Sequence, residues 1–128
     1  MSEKKEARDY VILAEIRGAP SEVSSALSRG DRYLREGFSD AFETQKVRAT
    51  AFRVTRPSDF SKPFRGHEDR VVTREYLLLA HVEGVPSKVC RALLDGKKHV
   101  VDGIENALSN FGVDAKVIRV STPCGDAR

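Results

Sequence analysis

The sequence predicts an α+β domain made by a tandem βαβ-βαβ duplication, with a ferredoxin-like four-stranded antiparallel sheet and two long helices on one face. Two observations predict it: a gapless internal repeat, and a change from strand-like to helix-like periodicity within each copy. The chain has 128 residues, of which 40% are hydrophobic and 32% charged. That size and composition fit a single domain with its own core.

The internal repeat aligns residues 10–57 with residues 76–123 at a constant offset of 66, and 17 of the 48 aligned positions are identical. Three of the identical pairs are glycines, and two more, Pro20/Pro86 and Ser21/Ser87, lie together at one corner of the unit. A match of this length without a gap indicates internal duplication. The basic, aromatic connector 58–75 joins the two copies and has no counterpart within the repeat.

Each copy has the pattern strand, helix, strand. In the first copy an apolar run, Val11–Ile16, predicts a strand that ends at Gly18. Pro20-Ser21 then opens a helix, because proline is tolerated in the first turn and serine can cap. Residues Val47–Thr55 predict the second strand. In the second copy the corresponding segments are Leu77–Val82, Gly84, Pro86-Ser87 and Val113–Ser121, with a helix stop at Asn110-Phe111-Gly112.

Glycines at unusual positions mark the helix of each copy. Gly30 and Gly37, seven residues apart, lie on one side of the first helix, and Gly96 and Gly103 repeat the spacing. A glycine inside a helix costs about 1 kcal/mol relative to alanine, so we expect these positions to allow close packing against the sheet or the other helix. The alternative is a break at Gly30 and Gly96 into shorter helices, with Asp31 capping the second.

The first and third strands each carry one uniformly apolar side and one mixed side. Tyr10 and Tyr76 begin the apolar sides, which we expect to face the helices. The mixed sides would form an outer face that needs a cover, so we expect a homodimer made by stacking two such sheets. Two other arrangements stay open: two βαβ layers facing each other, and a strand-exchanged dimer.

No enzyme motif accompanies this scaffold. The sequence contains no metalloprotease motif, phosphate-binding loop or dinucleotide-binding fingerprint. The outer face offers only weak catalytic candidates, His81, Glu15 and Glu83, and no metal or cofactor site is predicted. Cys90 and Cys124 form no paired metal-ligand motif, so we expect two free thiols.

The connector is the candidate nucleic-acid site. Basic side chains alternate there with aromatic ones, a pattern that suits phosphate contact combined with base stacking. The candidate residues are Arg56, Lys62, Phe64, Arg65, Arg70 and Arg74. The competing interpretation is that the phenylalanines hold the connector to the core while its charges are solvated, and four acids nearby dilute the positive field.

These patterns favour a small non-enzymatic binding protein, a homodimer that contacts RNA or single-stranded DNA through the connector. One alternative is an oligomeric α+β barrel that binds a small ligand or performs acid–base chemistry at the sheet face. Another is a structural subunit of a larger assembly. The longest apolar run, Leu77–Ala80, is far too short for a membrane span. We expect a cytoplasmic protein, and the scarcity of amide side chains indicates a thermophilic source.

Overall fold

The computed structural model describes residues 4–56 and 70–122, which form a four-stranded antiparallel sheet and four helices. The predicted α+β class is therefore confirmed. Along the chain the elements are β1 (Glu6–Gly18), α1 (Pro20–Arg29), α2 (Asp31–Thr44), β2 (Ala49–Thr55), β3 (Val72–Gly84), α3 (Pro86–Asp95), α4 (Lys97–Asn110) and β4 (Lys116–Ser121). The strands lie in the order β2-β3-β1-β4.

The central pair, β1 and β3, is much longer than the two apolar runs that predicted it. Ile12 lies opposite Leu78, and the pairing extends from Glu6 against Gly84 to Gly18 against Val72. Polar residues such as Asp9 join the strand because β3 supplies hydrogen-bond partners along its whole length. The end of the predicted connector is also strand, since Thr73, Arg74 and Glu75 pair with β1.

The two edge strands pair with opposite ends of the central pair. Strand β4 pairs with Leu13–Arg17 of β1, and β2 pairs with Leu79–Gly84 of β3. Each contact contains one bulge, next to Arg119 in β4 and next to Arg53 in β2. Each of the five residue pairs between β1 and β4 has its counterpart 66 positions away between β3 and β2, so both edges of the sheet have the same register.

One face of the sheet is covered by all the helices. Alternate residues of β1 and β3 are fully buried, beginning at Tyr10 and Tyr76. They pack against helix residues such as Leu27, Phe38 and Leu93 in one continuous core. The prediction of which side of each strand is buried is therefore confirmed: the apolar sides of β1 and β3 face the helices, and the mixed sides face outward.

The prediction of two long helices is wrong, because each divides at a glycine. The amide of Gly30 donates to the carbonyl of Ala26 at 2.7 Å and ends α1, and Gly96 repeats this bond with Ala92. The next helix starts at the following residue. Asp31 does not cap α2: its carboxylate instead accepts a hydrogen bond from the amide of Val54 at 2.7 Å, on the edge strand β2.

The expectation of close packing at the glycines is confirmed, because the neighbouring helix leaves no room for a Cβ atom at these positions. A Cβ atom placed on Gly37 would lie 2.8 Å from the carbonyl oxygen of His99 and 2.9 Å from the Cα of Gly103. One placed on Gly30 would lie 2.6 Å from the Cβ of Ala107. Helices α2 and α4 therefore touch backbone to backbone.

Two smaller expectations need correction. Helices α1 and α3 begin at Pro20 and Pro86, and neither has a side-chain cap, so the serine caps are wrong. Proline already removes one amide that a cap would satisfy. Cys90 is disulfide-bonded, so the expected free thiol is wrong there. The other cysteine, Cys124, lies outside the described residues.

Replacing Gly37 by alanine should lower the free energy of unfolding by about 1–3 kcal/mol, because the new methyl group meets backbone that side-chain rotation cannot move. In an open helix the same change would raise stability by about 1 kcal/mol. Urea denaturation measures the difference. Ser39→Ala, at an exposed position of the same helix, is the control and should change stability by less than about 0.5 kcal/mol. A Gly37→Ala protein as stable as the wild type would contradict the backbone contact.

Candidate functional site

The side of the sheet away from the helices is exposed and has an apolar centre. We call this surface the open face. Its apolar residues come from all four strands, and several are large and well exposed: Val11 (41%), Leu13 (36%), Phe52 (50%) and Ile118 (49%), with Leu77 and Leu79 half-buried among them. Phe52 and Ile118 occupy the two bulges, one at each edge of the sheet.

Charged residues surround this apolar centre in nearly equal numbers of each sign. Residues paired across neighbouring strands point to the same side of a sheet, which assigns the charges to the open face. The acids are Asp9, Glu15, Glu75 and Glu83, and the fixed cations are Arg17, Arg53, Lys116 and Arg119. The open face is therefore close to neutral, unlike the surfaces that bind polyanions.

One polar cluster on the open face centres on His81. Its Nδ1 atom contacts the carboxylate of Asp9, which lies directly opposite it on β1. On its other side, the ring of Phe52 lies with its centroid 5.7 Å from that of the imidazole. Arg53 pairs with His81 in the sheet register. The sequence pointed to His81 but not to Asp9, because only the register of β1 and β3 shows that they face each other.

A second cluster occupies the equivalent position in the other copy. The Nε atom of Arg119 lies 3.8 Å from a carboxylate oxygen of Glu15, and Glu75 lies opposite Glu15 on β3. A small cavity between these side chains has a volume of about 30 Å³ and is also lined by Leu13 and Ser121. A space of this size is large enough for one water molecule, whereas small-molecule sites usually have about 300 Å³ or more.

The three weak catalytic candidates do not form one site. His81 lies opposite Asp9, and Glu15 is six residues further along β1, a separation of about 20 Å at strand rise. Glu83 is exposed on the far side of His81, near the end of β3. Within residues 4–56 and 70–122, no three histidine, cysteine, aspartate or glutamate side chains lie close enough to hold a metal ion.

The aromatic side chains of the central strands are unavailable for base stacking. Tyr10 and Tyr76 are 6% and 3% exposed and belong to the core. Burial raises the pKa of the Tyr10 hydroxyl, an effect that the positive charge of Arg8 partly offsets. Tyrosines on the outer side would have supplied the stacking surface of RNA-recognition domains. Base stacking on Tyr10 and Tyr76 is therefore excluded.

The candidate nucleic-acid residues divide between the two ends of the connector and the part outside the structure. Lys62, Phe64 and Arg65 lie outside the described residues. Arg56 is half-buried directly after β2, and Arg70 is exposed just before β3. Arg74 lies on β3, which corrects its assignment to the connector, and its register partner is Ile16.

Comparison with protein-family models, with curated proteins and with solved structures found no match to this chain. No helix of the described segments is long and apolar enough to cross a membrane.

Proposed function

We propose that this chain is a small non-enzymatic binding protein that acts as a homodimer through its open face. The observation that supports this most is the exposed apolar centre with its balanced rim of charges. A soluble protein rarely leaves several large apolar side chains together on one surface unless something covers them. A second copy suits the balance of charges, because a two-fold axis can set each acid of one copy against a cation of the other.

The size of the open face also suits a dimer. Its strands contain 39 residues, which at about 3.3 Å per residue and about 4.8 Å between strands span about 600 Å². Two copies would bury about twice that area, at the lower end of the range for specific protein interfaces. The His81 and Glu15 clusters would then lie at the rim or between the sheets.

The proposal about architecture is more specific than the α+β class. We propose that the fold is ferredoxin-like and that it arose by duplication of one βαβ unit. The order β2-β3-β1-β4 and the identical register of the two sheet edges support it. So does the central pairing, in which Ile12 lies opposite its own repeat equivalent, Leu78.

A single charge at the centre of the open face should separate the dimer. In Leu13→Asp the carboxylate would be buried between two apolar sheets without a partner, so the dissociation constant should rise by about tenfold or more. Light scattering after size-exclusion chromatography, over a range of concentrations, gives the mass. Leu94→Asp is the matched control, because Leu94 is 44% exposed on α3, away from the sheet face.

Three results would count against this dimer. A monomeric wild-type protein would refute self-association, and a Leu13→Asp protein that dimerises like the wild type would place the interface elsewhere. A mass well above two chains would favour the structural subunit of a larger assembly.

We propose RNA or single-stranded DNA as a second partner, contacted at the end of the sheet where the connector enters β3. The supporting observation is that Arg70 is exposed just before β3 and that Arg74 lies near the start of that strand. Arg56 follows β2, which pairs with β3 as far as Leu79. Among the described residues, strand β3 has no β2 neighbour over Val72–Leu78. An extended ligand that paired with this edge would lie beside Arg70 and Arg74. The cytoplasmic location and the thermophilic source stay predictions.

The change Arg65→Ala plus Arg70→Ala should weaken binding to mixed-sequence RNA and single-stranded DNA. Each lost phosphate contact removes about one unit from the dependence of log affinity on log salt, so the slope should fall by up to about two. Fluorescence anisotropy at several salt concentrations measures it. Lys97→Ala plus Lys98→Ala, which removes two exposed cations from α4, is the control. An unchanged slope in the double arginine variant would contradict this site.

A further inference from the structure

A groove lined by basic residues lies at the end of the molecule where β2 begins and β3 ends. It is formed by the turn that follows α2 and by the first turns of α3, and its volume is about 430 Å³. We call it the basic groove, and its lining residues are Gln45, Lys46, Val47, Ser87, Lys88 and Arg91. It shares no residue with the open face.

Three cations converge in the basic groove without an acid to balance them. Lys46 comes from the turn, while Lys88 and Arg91 lie one helical turn apart on α3. All three are exposed, none has an ion-pair partner within the described residues, and no carboxylate lines the groove. Cations held together repel one another, and an anion among them relieves that repulsion.

The fold itself does not require these charges, as the other copy of the repeat shows. An equivalent groove of about 280 Å³ lies between the turn after α4 and the start of α1. There Glu22 replaces Lys88, Ser25 replaces Arg91 and Gly112 replaces Lys46. The same corner is therefore built once with three cations and once with one carboxylate, Glu22, and one cation, Arg29.

The backbone at Lys46 adds to this contrast. Lys46 has a φ of 60°, the left-handed conformation, and its equivalent Gly112 has a φ of 69°. Glycine adopts this conformation without strain, whereas a residue with a Cβ pays about 1–2 kcal/mol. The first repeat therefore has a lysine at a position where the second repeat has glycine, the residue that adopts this conformation without strain. Compared with glycine, Lys46 adds a side chain with an ammonium group.

We propose that the basic groove binds phosphate groups. Lysine and arginine side chains from two elements can surround a tetrahedral anion, with Gln45 and Ser87 as additional hydrogen-bond donors. A phosphate of this kind occurs at the end of a free nucleotide or pyrophosphate and along a nucleic-acid backbone. The proposal is independent of the dimer, because the groove lies apart from the open face.

The test replaces the three cations of the basic groove by the residues found at the equivalent positions of the other repeat. The variant Lys46→Gly, Lys88→Glu, Arg91→Ser places at each position the residue that the chain already carries at the equivalent position. Lys97→Glu plus Lys98→Glu is the control: it lowers the net charge by the same four units, at the other end of α3. Circular dichroism and the melting temperature verify that both variants fold.

The probes are pyrophosphate and a short mixed-sequence RNA, each measured by calorimetric titration. We expect the wild type and the control to bind alike, and the exchanged variant to bind about tenfold or more weakly. Weaker binding of both probes, or of either one alone, by the exchanged variant supports the proposal. The probe that is affected shows whether the groove binds a free phosphate compound or a nucleic-acid backbone. No binding by the wild type would overturn it, and so would equal weakening in the control, which would indicate net charge alone.

A reverse variant gives an independent reading. Glu22→Lys plus Ser25→Arg adds two of the three cations to the twin groove, beside Arg29. We expect a second binding event for pyrophosphate in this protein. A stoichiometry that stays the same as in the wild type would overturn the account of the groove.

Discussion

The contact between Gly37 and Gly103 is the constraint on which the arrangement of the helices depends. Neither residue leaves room for a Cβ atom, since each faces the backbone of the opposite helix at less than 3 Å from the position such an atom would take. Helices α2 and α4 therefore lie side by side on one face of the sheet. Since all four helices lie on that face, the other remains open with its apolar centre.

Glycine also explains how the helix layer stays compact around this contact. Gly30 and Gly96 end the first helix of each copy and at the same time fit against Ala107 and Ala41 of the other copy. Each break therefore lies where the two copies meet. The close packing is kept at each break, and the next helix starts at the residue that follows the glycine, Asp31 in α2 and Lys97 in α4.

The two repeats differ at several positions on both proposed binding surfaces. The core positions of β1 and β3 correspond closely, whereas Glu15 corresponds to His81 on the open face. Lys46, Lys88 and Arg91 correspond to a glycine, a glutamate and a serine. Packing restricts the core residues of both repeats but not these exposed and half-buried positions, so the core does not account for these differences.

Much of the fold could be predicted because it depends on local pattern. The alternation along β1 and β3 gave the buried side of each strand, and the repeat of Gly30 and Gly37 gave the close packing of helices. The breaks at Gly30 and Gly96 could not be decided, because a glycine in a helical pattern is compatible with both a packed helix and a divided one.

Less of the candidate site could be predicted, because its contacts join distant parts of the chain. Asp9 reaches His81 only through the pairing of β1 with β3, and polar residues gave no sign that the strand extended to Glu6. The basic groove unites a turn with a helix 40 residues further along the chain. Lys88 and Arg91 look like an ordinary solvated helix face until Lys46 is placed beside them.

The most direct test of the central claim, that a second copy covers the open face, is hydroxyl-radical footprinting of the wild-type protein at low and high concentration. Leu13 and Phe52 report on the open face, while Leu94 and Phe111 are exposed away from it and serve as internal references. Oxidation of Leu13 and Phe52 should fall as the dimer forms, with the references unchanged. If the protein's mass shows a dimer but the oxidation of Leu13 and Phe52 is the same at both concentrations, the account is contradicted.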